Sequence, residues 1–353
     1  MPNAILTQAI DAVASGRDLS ADEAAEVLAE IMRGEVSEVQ IAGFLVALRT
    51  KGETVQELAG LARTMRELAT RVNTERGELL DTAGTGGGRR TFNVSTTAAL
   101  IAAGAGATVA KHGNRSATSS SGSADLLEAL GARIDLGPED VERCISQVGF
   151  GFMFAPAHHQ DTRFVVQVRK ELAVRTIFNL LGPLTNPAGA SRQLIGVSEM
   201  GFLDTVAGAL AHLGTERALV VCGEDGLDEV SITAATRVAE VAGGEVSHYT
   251  LTPQELGLQL AGASSLDGEL AGGTPQQNAA VTQAILNGQS GVASDLAVIN
   301  AAAAIYAAGV ADSIAEGLQA ARAAIADGAA LQALERYISA THSTEKAESG
   351  SQT

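Results

Sequence analysis

Three polar stretches of this chain bring together residue types able to hold a polyanion and a divalent cation. The first is Gly84-Thr85-Gly86-Gly87-Gly88, followed by Arg89-Arg90 and by Asn93-Val94-Ser95-Thr96. Glycines leave the backbone unscreened, so successive N–H groups can turn toward one anion. The apolar run opened by Ser95 and Thr96 reads as a helix whose unpaired N–H groups and dipole favour negative charge. Together these predict a phosphate site. No Gly-Lys-Ser/Thr follows, and Arg89 stands where a dinucleotide fingerprint carries its third glycine, so neither of those nucleotide folds is expected.

The second stretch, Lys111 to Ser123, holds two cations, an imidazole, an amide and six hydroxyls within thirteen residues. It supplies point charge, a planar donor fork and neutral donors after an apolar strand. Two such loops on neighbouring strands would clasp one polyanion from two sides, since ligands of open α/β sheets sit at the carboxyl ends of strands. The third stretch places Glu224, Asp225, Asp228 and Glu229 within six residues after the strand ending Val220-Val221-Cys222. Oxygen-rich and without EF-hand spacing, it suits Mg²⁺ shared with substrate phosphates better than Ca²⁺. Arg169 could present a guanidinium to a carboxylate. His158 and His159 read as a loop pair, and neither G-x-S-x-G nor H-E-x-x-H occurs. The chemistry predicted is electrostatic, not covalent.

Positioning these loops falls to two kinds of element. Residues 1–73 read as a helical unit with capping-box starts at Ser20/Glu23, Ser37/Gln40 and Thr54/Glu57. Beyond it, strands predicted at 79–82, 107–110, 150–154, 218–222, 237–241 and 247–251 alternate with helices at 95–103, 124–130, 140–148, 203–213, 278–286 and 295–306. The fold class expected is α/β: a small all-helical domain and a larger α/β domain with a mostly parallel central sheet. Residues 168–187 read as a helix ended by Gly182-Pro183 and docked on the N-terminal helices. That divides the α/β domain into 74–167 and 191–341, with 168–190 returning to the helical unit and 342–353 a disordered tail.

Composition sets bounds on function. The 353 residues carry a formal charge of -17, which repels nucleic acid from the general surface. Eleven of the 24 Lys and Arg nevertheless lie between Arg89 and Arg192, where an anionic ligand would dock. No apolar run is long enough to span a bilayer, and the N-terminus lacks the basic-then-apolar pattern of a secretory signal. Cys144 and Cys222 have no metal-ligand spacing. A cytoplasmic protein without membrane or nucleic-acid partners is expected.

The motifs Gly84-Thr85-Gly86-Gly87, Asn93-Val94-Ser95-Thr96, Lys111-His112-Gly113-Asn114-Arg115, Ser121-Gly122-Ser123-Ala124-Asp125, the run from Arg175 to Pro187 and Asp228-Glu229 occur in an order that resembles the anthranilate phosphoribosyltransferases over residues 2–340. The resemblance implies a homodimer joined through its helical domains, with the active site between the two domains of each chain. It also implies Mg²⁺-dependent transfer of phosphoribose from phosphoribosyl pyrophosphate (PRPP) to anthranilate, with two metal ions per site. By position, PRPP would meet Gly84, Gly87, Gly88, Thr91, Asn93, Val94, Ser95, Thr96, Lys111, His112, Gly113, Asn114, Arg115, Ser116, Ala117, Thr118, Ser119 and Ser123. Anthranilate would meet Gly84, His112, Asn114 and Arg169, and the metals Ser95, Asp228 and Glu229.

One position departs from that pattern. Gly88 followed by Arg89-Arg90 stands where the family most often ends its loop in Asp, so Arg89 or Arg90 is expected to contact phosphate directly. Other readings are a nucleoside phosphorylase of the same fold, a nucleic-acid-binding relative, and an enzyme using another aromatic amine.

Overall fold

The computed structural model describes residues 1–116 and 120–343. Its first part consists of α1 (Ala4–Ala14), α2 (Ala21–Met32), α3 (Glu38–Lys51) and α4 (Val55–Leu68). Reciprocal capping boxes start α2 and α4, as their sequences predict. At α3 the box is one-sided: Ser37 accepts the Gln40 N–H, but the Gln40 side chain bonds to the backbone N–H and carbonyl of Asn3, tying α3 to α1. Gly60 lets α4 pass close to α2, for a Cβ there would stand 2.0 Å from Ala21 O.

The larger part is a seven-stranded sheet of β1 (Leu80–Gly84), β2 (Val109–Gly113), β3 (Phe150–Phe154), β4 (Arg192–Gly196), β5 (Arg217–Gly223), β6 (Thr236–Ala242) and β7 (Glu245–Leu251). Strand order is β3-β2-β1-β4-β5-β6-β7, parallel from β3 to β5 and antiparallel beyond. From β1 the chain first builds outward through β2 and β3, then returns to place β4 and β5 on the other side. The switch between β1 and β4 opens a crevice at their carboxyl ends. Gly243 and Gly244, both with positive φ, make the tight β6–β7 turn.

The helices that follow the first four are α5 (Val94–Gly104), α6 (Ser123–Ala129), α7 (Pro138–Val148), α8 (Ala155–His158), α9 (Arg163–Leu172), α10 (Phe178–Leu184), α11 (Leu203–His212), α12 (Pro275–Leu286), α13 (Val292–Ala307), α14 (Ile314–Ala326) and α15 (Ala329–Ser343). Alternation along β5 divides the core. Leu219 and Val221 join the cluster containing α5 to α7 and α12 to α15; Ala218, Val220 and Cys222 join the one containing α1 to α4 and α9 to α11. Among the described residues no helix is long and apolar enough to cross a membrane.

Several local expectations are corrected. Residues 168–187 are not one helix: α9 ends at Ala173 in a left-handed conformation, and α10 begins where Thr176 N–H is capped by Asn179 Oδ1. Gly182 and Pro183 lie inside the last turn of α10, where the proline cannot supply the N–H that would bond back to Asn179 O and the helix ends one residue later at Leu184. β4, α14 and α15 lie outside the expected elements: β4 is short and begins on a charged residue, and the alanine bias of residues 301–330 hides the periodicity of α14 although Ser313 and Glu316 mark its start. His342 and Ser343, expected in the tail, close α15; residues 344–353 lie outside the described residues.

Candidate active site

The glycine loop follows β1 and turns through Gly86 and Gly87 at φ +66° and +85°, conformations that favour glycine. Three further glycines crowd the acidic loop. A Cβ at Gly84 or Gly88 would stand 2.8 or 2.7 Å from the Asp228 carboxylate, and one at Gly196 would stand 1.7 Å from Asp228 O. Asp228 is therefore clamped between the glycine loop and the end of β4. Gly196 escaped sequence reading because its strand did, and only its neighbour across space explains it.

The four acidic residues after β5 separate into two roles. Asp225 accepts from Leu227 N–H and from the hydroxyls of Ser231 and Thr233, and Glu224 pairs with Arg237 at 3.0 Å, so both build the loop. Asp228 and Glu229 face the glycine loop and the start of α5, opposite the N–H groups of Gly86 and Ser95. Burial raises the Asp228 carboxyl, and burial together with Asp228 pushes Glu229 up to about 8. Arg175 near Asp228 and Lys111 near Glu229 do not offset the burial of these two adjacent carboxylates, which leaves room for further positive charge. Among the described residues no three His, Cys, Asp or Glu gather as a metal cage, so the pair suits a cation that completes its shell from water and phosphate.

Lys111 is fully buried beneath this region. Its Nζ donates to Thr82 O and to Thr82 Oγ1, and it lies in the field of Asp81 and Glu229. Burial pushes Asp81 up to about 6 against the opposing pull of Lys111. Asp81 accepts the N–H of His112 at 3.1 Å and the amide of Asn186 at 2.7 Å, joining β2 to the segment after α10. His112 Nδ1 lies 3.2 Å from Gly182 O, which assigns the ring proton to Nδ1 and leaves Nε2 a buried acceptor without a partner among the described residues. Burial and the neighbouring His159 ring, 5.2 Å away, push its pKa down to about 3, so it is neutral. His158 and His159 are buried structural groups set against the carbonyls of Thr70 and Thr185.

The other predicted site residues divide by position. Asn93, Ser95 and Thr96 form the start of α5, while Val94 is core. Thr91 bridges Ala271, and Gly113 leaves room for Ser123 Oγ, itself 3.3 Å from Asn114 O. Arg115 turns away onto α6, paired with Asp125 and Glu128, and Ser116 N–H bonds Asp125. Ala117, Thr118 and Ser119 lie outside the described residues. Arg169 is half-buried, stacked 5.5 Å over Phe178 with Asn179 Oδ1 at 3.4 Å. Arg89 pairs with Asp267 at 3.6 Å on the outer side of the loop.

Sequence reading missed Arg175 as an anchor. Its guanidinium bonds Gly86 O at 2.8 Å, Ser198 Oγ at 2.9 Å and Glu199, and Arg49 of α3 donates to its carbonyl. It thus ties the helical unit to the glycine loop. Its place at the head of the Arg-Thr-Ile-Phe-Asn run was the available signal.

Residues 7–69 match the helical bundle domain, and residues 76–331 the a/b domain, of the glycosyl transferase family. An anthranilate phosphoribosyltransferase of Rubrobacter xylanophilus is 52% identical over 95% of this chain and 97% of that relative; one from Laribacter hongkongensis is 50% identical over the same shares. The crystal structure of the Thermus thermophilus anthranilate phosphoribosyltransferase superposes with TM-score 0.88 at 47% identity, covering 94% of this chain and 99% of that one. The Saccharomyces cerevisiae enzyme in complex with PRPP and Mg superposes with TM-score 0.86 at 28% identity, covering 97% and 99%. With matched domains, a shared fold and near-full-length identity at this level, the chain belongs to the anthranilate phosphoribosyltransferases.

Proposed function

We propose that this chain transfers phosphoribose from PRPP to the amine of anthranilate, giving N-(5-phosphoribosyl)anthranilate and pyrophosphate, as the Mg²⁺-dependent second step from chorismate toward tryptophan. The observation that carries the reading is the placement of two donor-rich loops, at the ends of the neighbouring parallel strands β1 and β2, beside the Asp228–Glu229 pair. Asp228, Glu229 and the Ser95 hydroxyl are the groups that would hold two Mg²⁺ ions. When bound, the metal supplies positive charge at the departing pyrophosphate.

The chain's own residues account for the rest. Backbone N–H groups of the glycine loop and of the α5 start are preorganised donors for phosphate oxygens on which charge grows as the ribose C1–O bond lengthens. Neutral His112 Nε2 accepts an N–H of the anthranilate amine and so aims the nitrogen lone pair. Arg169 pairs with the anthranilate carboxylate, with Asn114 alongside. No strong base is required, because an oxocarbenium-like centre needs chiefly an oriented nucleophile. Loss of anthranilate fluorescence that requires PRPP and Mg²⁺ together, with pyrophosphate released one for one, tests this reading; a folded sample that binds PRPP but consumes no anthranilate would sink it.

Arg89 or Arg90 is proposed to reach a PRPP phosphate, Arg89 after leaving Asp267. Arg89→Ala or Arg90→Ala is expected to raise the PRPP KM roughly ten- to hundredfold, the scale of one charge-assisted hydrogen bond of about 1.5–3 kcal/mol. Unchanged KM and kcat in both would assign phosphate binding to backbone N–H groups alone.

A homodimer through the helical unit is also proposed. Val39 and Val46 of α3 are 82% and 42% exposed, and Val166 of α9 and Val174 just beyond it are also exposed. These exposed valines on α3 and on the α9 segment packed against it support placing a second copy against the helical unit. Val39→Glu with Val46→Glu should convert the dimer to monomer by light scattering; an unchanged mass would move the interface elsewhere.

A further inference from the structure

Helix α12 belongs to none of the three loops, yet its first turn is bonded to one of them directly and to a second through a single residue. Asn278 is 2% exposed. Its Nδ2 donates to Asn93 Oδ1 at 2.8 Å, and its Oδ1 accepts the Gly273 N–H at 2.8 Å. Asn93 in turn donates from Nδ2 to Ser121 O at 3.0 Å and accepts the Ser121 hydroxyl at 2.9 Å. Backbone partners settle both amide orientations. A carbonyl accepts and an N–H donates, so Asn93 turns its oxygen, and Asn278 its NH₂, toward each other.

One turn further along each helix, the buried hydroxyls of Thr97 and Thr282 meet at 2.9 Å. Positions 93 and 97, like 278 and 282, are four apart, so two polar bonds join matching faces of α5 and α12. Asn93 itself has φ +25°, a left-handed conformation that persists in a non-glycine residue where its surroundings hold it. It immediately precedes α5, so its conformation aims the helix's first N–H groups. Ser121 belongs to the other donor loop.

We propose that Asn278 is a positioning residue for the phosphoribosyl donor. By holding Asn93 it sets the direction of the α5 start and the spacing between the glycine loop and the serine-rich loop, without touching substrate. This rests on the reading of PRPP as the bound polyanion. An asparagine is required because the position needs a donor toward Asn93 and an acceptor for Gly273 at once.

The test compares Asn278→Ala, Asn278→Asp and Asn93→Ala with the unaltered chain, reading PRPP dissociation by calorimetry, steady-state constants and melting temperature. Asn278→Ala should weaken PRPP binding and raise its KM about tenfold, while kcat and the anthranilate KM stay within about twofold. Asn278→Asp keeps the acceptor for Gly273 but sets an oxygen against Asn93 Oδ1, so it should lose at least as much PRPP affinity as the alanine variant, each affinity being read on the folded fraction that the melting curve gives. Asn278→Ala added to Asn93→Ala should cost no further affinity. A lowered melting temperature with unchanged PRPP affinity, or losses that multiply in the double variant, would overturn the proposal. Unaltered protein that binds PRPP without consuming anthranilate would remove the acceptor reading and leave this comparison standing on affinity; no PRPP binding at all would overturn both.

Discussion

Asp228→Asn combined with Glu229→Gln is expected to lower turnover at least ~100-fold, or about 2.7 kcal/mol of transition-state stabilisation, at saturating Mg²⁺. Asn keeps the shape of Asp228 in the clamp formed by Gly84, Gly88 and Gly196, and Gln keeps that of Glu229, so the loop retains its place. What is lost is the negative charge that would hold the cation. The same change should leave melting unaltered or raise it, which separates lost chemistry from lost folding. Both carboxyls have raised pKa values in the folded chain, Glu229 at about 8. A raised folded-state pKa means stability that is present below the unfolded carboxyl value of about 4.3 and is lost as pH rises through the folded value. In metal-free protein at neutral pH the buried pair therefore opposes folding, Glu229 because it must take up a proton and Asp228 because it loses hydration, and neutral amides remove that opposition. Near-normal turnover in the double variant would take both residues out of the metal role.

Lys111→Met should destabilise the fold by about 3–5 kcal/mol, the range for a buried charge left without its partner. Lys111 is the cation between Asp81, which lies wholly inside the sheet, and Glu229 at the site. Its removal leaves Asp81 bonded to His112 N–H and Asn186 but with no compensating charge. Asp81→Ala should cost a similar amount, and the double variant less than the sum of the two, because each single change strands the other group. Melting of Lys111→Met within a degree or two of the unaltered chain would show that the Thr82 contacts, not the charge balance, account for its burial. Since β2 ends in the second donor loop, this stability and the site's geometry depend on the same residues.

Much of the candidate site's local geometry was legible because it is set by neighbours in the chain. Gly86 and Gly87 need left-handed backbone, Ser95 and Thr96 open a helix, and Asp228 and Glu229 are adjacent; each is a property of a few consecutive residues. The alternation of strands and helices likewise announced a mostly parallel sheet, since periodicity is set by which face each residue buries. Only the tertiary structure decided the roles that depend on residues distant in sequence. Asp225 and Asp228 look equivalent in the chain, yet one is consumed by Ser231 and Thr233 and the other is clamped between three glycines. Arg115 looks like a ligand for phosphate and is paired on α6, whereas Arg175 anchors the glycine loop from 89 residues away in sequence. Asn278 carries no motif, and its importance comes from bonding a residue 185 positions earlier. Short-range backbone preferences are written residue by residue, but which buried donor meets which acceptor is settled when the two faces of the sheet pack.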